Sequence, residues 1–549
     1  MFEMSEDMKT ISNIEEAHVP VTYYCSAVCG NDTNDGLSPE QPFQSLQALV
    51  ARSFGPGDRL LLERGSVFCG EALHLKNVHG SDQAPIVIDA YGNGPLPCIQ
   101  TNGSGLWFQD YGVELDNPLH RRRGYVSSSI LLYDCDGIEI SHIAVSNRRL
   151  PFDAVYNGID AMNRTGVAVV AQNAGTLHHI HLRELDIRHI HGNVYDKHMN
   201  NGGIYFTAFK PADEAATGIS RYDDILIEGC YLEDVYRWGI AVAYTAYCEK
   251  FTTLEISDEV AMRYGATRVR IRNNYVKDPG GDAITTMYCD RPLIEYNVSD
   301  GAGRQINKTD YAQSDFGRVA AAVWPWKCKN ALFQFNEVFH TRYHGGENQD
   351  GQAFDADWSD GTIYQYNYSH DNEGGCLMVC GVEAVNTVFR YNISQNDDRA
   401  MILPADSPVA YIYNNIFYMK PGVPFLATNS EFVGPTVIQN NILVSAGDAP
   451  VQQNWFEDVT QYQNNLFCGF TNVPSGNGNL SGTHGLKAPG TGGTGGADGT
   501  ALDTLDGYRL TTDSLARNAG IEVPDTCAYD FFGNVLTKQI SIGVDQGEI

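Results

Sequence analysis

Residues 350–361 read DGQAFDADWSDG and set Asp350, Asp355, Asp357 and Asp360 within eleven positions, with no Lys or Arg among them. Carboxylates held this close repel one another, and the repulsion raises the pKa of at least one. A protonated carboxyl beside an ionised one is what glycoside hydrolysis requires. One protonates the leaving oxygen; the other attacks the anomeric carbon or activates a water. If AFDADW is a strand, alternation puts Ala353, Asp355 and Asp357 on one face and Phe354, Ala356 and Trp358 on the other. The second, apolar set is expected to face the core. Asp355 and Asp357 then project outward as one candidate pair, their Cα atoms about 7 Å apart. A solvated acidic face or a calcium site are the non-catalytic uses of such a cluster.

Residues around the cluster suit sugar binding. Aromatic rings stack on sugar faces, and Trp324, Trp326 and Tyr343 precede it. His344, Glu347 and Gln349 lead into it, Asp360 closes it, and His370, Asp371 and Glu373 follow. The candidate substrate-binding set is Trp324, Trp326, Tyr343, His344, Gln349, Asp360, His370 and Glu373. The string HHIH at 178–181 has a metal-like composition, with His179 and His181 on one face of a strand, but no carboxylate partner is evident in the sequence. Cys25 and Cys29 lack a second pair at zinc spacing. No cofactor or metal is expected.

The elements that must position these residues form a repeat. RIRNNYV, LIEYNVS, LFQFNEV, IYQYNYS, VFRYNIS, YIYNNIF, VIQNNIL and QYQNNLF share one form, apolar-x-apolar-x-Asn-x-apolar. Their asparagines are Asn274, Asn297, Asn336, Asn367, Asn392, Asn415, Asn441 and Asn465, at intervals of 23, 39, 31, 25, 23, 26 and 24. Upstream, IEISHIAV, IHLRELDI and ILIEGCYL continue the form without Asn. A base period of 23–26 with alternating apolar residues predicts an all-β parallel solenoid, each coil packing on its neighbours. The asparagines are expected at the corners, tolerating a left-handed turn and bonding the next coil's amide. The two long intervals lie either side of Asn336, and the acidic cluster falls in the second, between Asn336 and Asn367. Insertions in a solenoid gather on one face, often the binding face. VAAAVWPW, QAFDADW and GCLMVC are expected to be adjacent rungs of one sheet.

The ends read as caps. Residues 1–20 are an acidic tail. Residues 21–80 hold an N-terminal cap with a short helix, Ser45 as its N-cap, and the first coil. Residues 81–470 are the β-helix, and 471–549 a Gly-rich flexible loop and a closing segment. The end segments resemble the right-handed parallel β-helix proteins of the pectate-lyase-like superfamily. Gly30, Asn31, Asp32, Asn34, Asp35, Gly36, Ser38, Pro39, Pro42 and Phe43 carry the likeness at one end. Ser514, Ala516, Ala519, Gly520, Asp530, Gly533 and Asn534 carry it at the other. The central block ENQDGQAFDADWSDGTIYQYNYSHDNEGG resembles glycoside hydrolase family 136, the lacto-N-biosidase type, whose catalytic aspartates lie seven positions apart on a D-G-x-x-F-D-x-D string. Here Asp350 and Asp357 match. The resemblance implies Asp350 as acid/base and Asp357 as nucleophile of a retaining reaction, with type-1 chain milk oligosaccharides as substrate class and lacto-N-biose as product. Seven residues of straight strand span about 23 Å, while a retaining pair works at about 5–5.5 Å. A bend is therefore expected, with Gly351 its natural place; without one, Asp355 and Asp357 are the better pair. Some family members carry a helical domain beside the β-helix. Only about 20 residues precede the cap here, and a separate helical partner chain is one way to supply it.

Bulk properties narrow the class. The chain has 549 residues, 19% charged and 43% hydrophobic, as in folded proteins. A net charge of −30 argues against nucleic acid and anionic membrane as partners and is silent about neutral sugars. No apolar run of membrane-spanning length exists. The N-terminus lacks the basic and apolar parts of a signal peptide, and thirteen cysteines leave at least one unpaired. A cytoplasmic location follows for the chain as it stands, an extracellular one if a leader has been lost. Two rivals remain. A polysaccharide lyase would hold calcium on the aspartates and use Arg304, Lys308, Lys327 or Arg342 as base, and other β-helix glycosidases of fucosidase or xylanase type share the fold. A non-catalytic carbohydrate-binding solenoid would keep the aromatic residues without needing the aspartates.

Overall fold

The computed structural model describes residues 18–115, 121–149, 162–252, 254–306, 319–344, 350–404, 408–428, 433–524 and 527–547. Three long sheets run side by side along it, of fifteen, fourteen and twelve strands among the described residues, parallel except where Leu106–Asp110 pairs antiparallel at the side of the third. Each coil contributes one strand to each sheet. A representative coil passes from Leu332–Gln334 in the first sheet to Glu337–Phe339 in the second and Gln352–Asp357 in the third. This is a right-handed parallel β-helix, as the 23–26 period predicts. The strands pair in parallel with matching apolar positions: Ile294 on Phe333, Phe333 on Tyr364, Tyr364 on Phe389. Their inward side chains form one continuous core from Cys25 to Phe467. No helix among the described residues is long and apolar enough to cross a membrane.

The asparagines occupy the corner between the first and second sheets. Asn367 Nδ2 donates to Asn392 Oδ1 at 3.0 Å, and Asn336 Nδ2 to Asn367 Oδ1 at 3.0 Å, in a buried column that runs from Asn274 to Asn479. Each amide oxygen also accepts the backbone N–H of the preceding coil's Asn. The left-handed backbone falls elsewhere than expected. It belongs to the residue before each ladder Asn, with φ of 55° at Tyr296, 56° at Phe335 and 58° at Tyr366. The turn needs a left-handed residue outside the column, so that the Asn side chain can point along the axis. Tyr296, Phe335 and Tyr366 recover part of that steric cost by stacking at 4.9 and 5.1 Å. Asn367→Ala strips the acceptor from two buried donors of Asn336 and the donor from Phe333 O. Buried unsatisfied groups cost about 1–3 kcal/mol each. We expect a loss of about 2–4 kcal/mol, read as a lower midpoint in denaturant.

At the N-terminal cap, Ser45 Oγ accepts from Ala48 N and caps the helix Leu46–Val50. The glycine-rich run near the C-terminus is packed down. Gly492 N donates to Gln395 Oε1 and Gly495 N to Glu337 Oε1. A Cβ at Gly492 would come within 2.4 Å of Tyr368 Oη, so the missing side chain lets the backbone lie flat on the second sheet. The expectation of a flexible loop is corrected accordingly.

Candidate active site

The described parts of the long connections between the second and third sheets gather at one corner, just before the third-sheet strands. Two of them are the long intervals seen in the sequence, 301–322 and 340–351. A third, 191–201, was hidden because the upstream coils lack the Asn marker. It reaches along the axis, and its Val194 and Tyr195 pack on Ile306 and Ala320.

The third-sheet rungs are adjacent as expected: Gly375–Cys380, Gln352–Asp357, Val323–Trp326 and Ile284–Met287. Trp326 and Cys380 flank Asp357 in register, and Met378 pairs with Asp355. Phe354 and Ala356 face the core as predicted. Two neighbours do not follow simple alternation. Ala353 also joins the core, at the row where the strands enter through a bulge, with Ala283 N and Ile284 N both donating to Ala322 O. Trp358 turns away with φ 49° and stacks on Trp326 at 5.5 Å, with Lys327 Nζ over both rings.

Gly351 has φ 97°, and a Cβ there would lie 2.8 Å from Arg342 O. The chain changes direction at this glycine and sets Asp350 at the corner. Asp350 and Asp357 remain partly open to solvent, while Asp355 between them is 5% exposed. Each carboxyl is raised, first by burial. Asp350 reaches about 7, with Lys197 and Arg237 opposing the rise and Asp282 adding to it. Asp355 is pushed well up by burial and by the charges of Asp357 and Asp350. Asp357 is raised well above the usual range by burial, with Lys197 opposing and Asp350 adding. The three act as one proton-holding unit rather than three independent acids. Oδ1 of Asp355 and Oδ1 of Asp357 are buried without a hydrogen-bond partner.

Sequence reasoning missed the cations that hold this unit. Lys197 is buried, and its ammonium is lowered to about 8 by burial and by Arg237, against the pull of Asp282, Asp350 and Asp357. Its backbone is clamped. Lys197 O accepts from Trp238 Nε1 at 2.7 Å and Tyr205 Oη at 3.2 Å, and His198 O accepts from Tyr111 Oη at 2.7 Å. His198 stacks on Tyr244 at 4.2 Å, and burial holds its ring well below the ordinary histidine range. Arg237 and Asp282 form a fully buried ion pair, and Asp282 Oδ1 also accepts Trp324 Nε1 at 2.9 Å. A positional signal existed for these residues. YDKHMNNGG and PGGDA both directly precede third-sheet strands, as DG does at 350–351.

The predicted binding residues divide. Tyr343, His344 and Glu373 gather beside Gly351: Tyr343 N donates to Glu373 Oε2 at 3.0 Å, and the His344 ring contacts Gly303 O at 2.6 Å. Trp326 is partly open on the face with Asp357, while the Trp324 ring is buried against Trp238. Two sit apart. Asp360 is buried against Lys329 Nζ at 2.9 Å and lines a groove on the first sheet with Tyr411 and Tyr413. His370 is buried on the second sheet between Glu337 and Asp371, under the C-terminal segment. Gln349, Glu347 and Lys308 lie outside the described residues. Among the remaining basic groups considered for a lyase, Arg304 pairs with Asp278 and Arg342 with Glu373.

Lys197 favours the ionised form of Asp350, so its removal must raise the Asp350 pKa. If Asp350 carries the acid proton, Lys197→Gln should move the alkaline limb of the kcat/KM profile upward from near 7. An unmoved limb would mean that another group carries the acid proton.

Fold and site together define a right-handed parallel β-helix protein with a carboxylate–lysine cluster at one corner. A lacto-N-biosidase of family 136 from Eubacterium ramulus, solved as a crystal structure, superposes with a TM-score of 0.74 at 48% identity, covering 77% of this chain and 67% of that one. Its native crystal form gives a TM-score of 0.71 at the same identity. The chain belongs to glycoside hydrolase family 136. It is also 39% identical over 590 residues to the lacto-N-biosidase of Bifidobacterium longum subsp. longum, covering 96% of this chain. The chain spans about a third of that relative's length (36%). No protein-family model matches the chain.

Proposed function

We propose that this chain hydrolyses a glycosidic bond with retention, using Asp350 as acid/base and Asp357 as nucleophile, and releases lacto-N-biose from type-1 chain oligosaccharides. The observation that carries the pairing is exposure. Of the three clustered aspartates, Asp350 and Asp357 keep solvent access and Asp355 is shut between them. A raised carboxyl near 7 suits a group that must give a proton to the leaving oxygen and then take one from water. Lys197 opposes the rise at Asp357, the carboxyl that must ionise to attack. Asp355 then serves as a buried neutral neighbour that tunes the pair. The substrate class rests on the two relatives, both lacto-N-biosidases by name.

The test is product analysis on a panel of milk, mucin and plant glycans, in the presence of a chelator. The expected result is lacto-N-biose of retained configuration, with rate unchanged by chelation and no ultraviolet-absorbing product. An unsaturated, ultraviolet-absorbing product whose formation needs calcium would establish the lyase reading instead. Binding without turnover would establish the carbohydrate-binding solenoid.

A further inference from the structure

A second polar constellation lies on the outer face of the second sheet. His189 Nδ1 and His191 Nε2 each sit 2.8 Å from the same atom, Asp234 Oδ2. The histidines come from the strand Asp186–Ile190 and its exit, and Asp234 comes from Tyr231–Val235 on the next coil. Register pairs Arg188 with Glu233 and Ile190 with Val235. His189 and Asp234 are therefore facing residues of two aligned bulges, with φ 58° and 55°. The bulges let Ile187 and Ile190 both reach the core while 189 and 234 turn outward. Left-handed backbone is costly for such residues. Here it is used twice, on adjacent coils, to aim side chains at one point.

We propose that His189, His191 and Asp234 form a binding site for a borderline divalent cation, zinc being the natural candidate. Two imidazoles and one carboxylate are a donor set that such ions favour. One ligand atom from each side chain lies within 4.8 Å of the other two. With bonds of about 2.0–2.2 Å, neighbouring ligand atoms around such an ion sit about 3 Å apart, so only small rotations separate the present geometry from a bound one. All three side chains are partly exposed, which leaves the remaining positions to water. The Tyr236 ring packs on His191 at 4.9 Å and fixes its plane. Arg149 N donates to His191 Nδ1 over 3.4 Å, a long contact that opens when the ring gives up its Nε2 proton to bind metal.

The other histidine cluster is built differently. His179 and His181 do have carboxylate partners, Glu139 and Asp224 from neighbouring coils, which the sequence did not reveal. There Arg183 already donates to His181 Nδ1 at 3.0 Å and reaches Glu139, so a cation of the protein fills the place of a metal. In the His189 set both imidazoles converge on Asp234 itself, and the set stands at a more consequential place. His191 leads directly into the loop carrying Lys197, and Asp234 lies three residues before Arg237. A bound ion would tie the exits of two coils that support the site, without entering the reaction.

The experiment uses tag-free protein stripped with a chelator and titrated with zinc chloride by calorimetry. Wild type and His179→Ala should each take up one equivalent and melt at a higher temperature with zinc. His191→Ala and Asp234→Ala, with unchanged circular dichroism, should bind at least about 100-fold more weakly, since losing even an outer-shell partner of a metal ligand costs 10–100-fold. Cobalt(II) should give visible absorption in wild type that is absent from His191→Ala. Undiminished binding in both of these variants, loss in His179→Ala instead, or no saturable binding to wild type would overturn the proposal.

Discussion

Asp357→Asn is expected to leave a folded protein whose turnover is lower by several orders of magnitude. The amide keeps the shape of the side chain but cannot form the glycosyl-enzyme bond, and removal of a nucleophile is among the largest single effects known in enzymes. The substitution should not cost stability. The Asp357 carboxyl is raised in the folded state by burial, so its favourable contribution exists below the unfolded pKa and is lost as pH rises through the folded value. At neutral pH an uncharged amide removes that penalty, and the melting temperature should be equal to or above that of wild type. A variant that melts higher yet turns over like wild type would end the assignment of Asp357 as nucleophile.

For Asp350→Asn the second large effect should appear, and it should depend on the leaving group. On a natural oligosaccharide the departing oxygen needs a proton, and the loss should be about 10²–10⁴-fold, the usual worth of general acid help. On an aryl glycoside with an acidic phenol the bond breaks without it, and much of the bond-cleavage rate should survive. The alkaline limb near 7 should vanish from the residual activity. Asp355→Asn should be milder in both assays, because that side chain is buried away from solvent, its own carboxyl held up by burial and by Asp357 and Asp350. If instead Asp350→Asn is near wild type and Asp355→Asn inactive, the acid role passes to the outward pair that strand alternation suggests.

Much of the fold was legible because a solenoid repeats its instructions. The apolar-x-apolar-x-Asn form marked the corner of eight coils, and the hydrogen-bonded column from Asn274 onward is its direct result. The role within the corner was misjudged. Which of two adjacent residues takes the left-handed conformation depends on where the amide must point, and period alone does not fix that. The acidic cluster was found because its loops stretch the interval between markers. Lys197 and Arg237 were not, because their coils carry no Asn to measure from and their contacts cross several coils. Asp360 and His370 show the converse limit. Both are near the cluster in sequence, but one corner of the coil is enough to send each to a different face.

The corner itself has a consequence for specificity. Lys197, Arg237, Asp282, Ala321, Asp350 and Glu373 stand at the same corner of six successive coils, each shortly before its third-sheet strand. Neighbouring strands are about 4.8 Å apart, so these positions form a ruler laid along the axis. Lengthening one connection changes what is presented at one mark of the ruler and leaves the strand pairing above and below untouched. Loop exchange at this corner is therefore a modular route to altered substrate preference, position by position, on a scaffold whose core need not change.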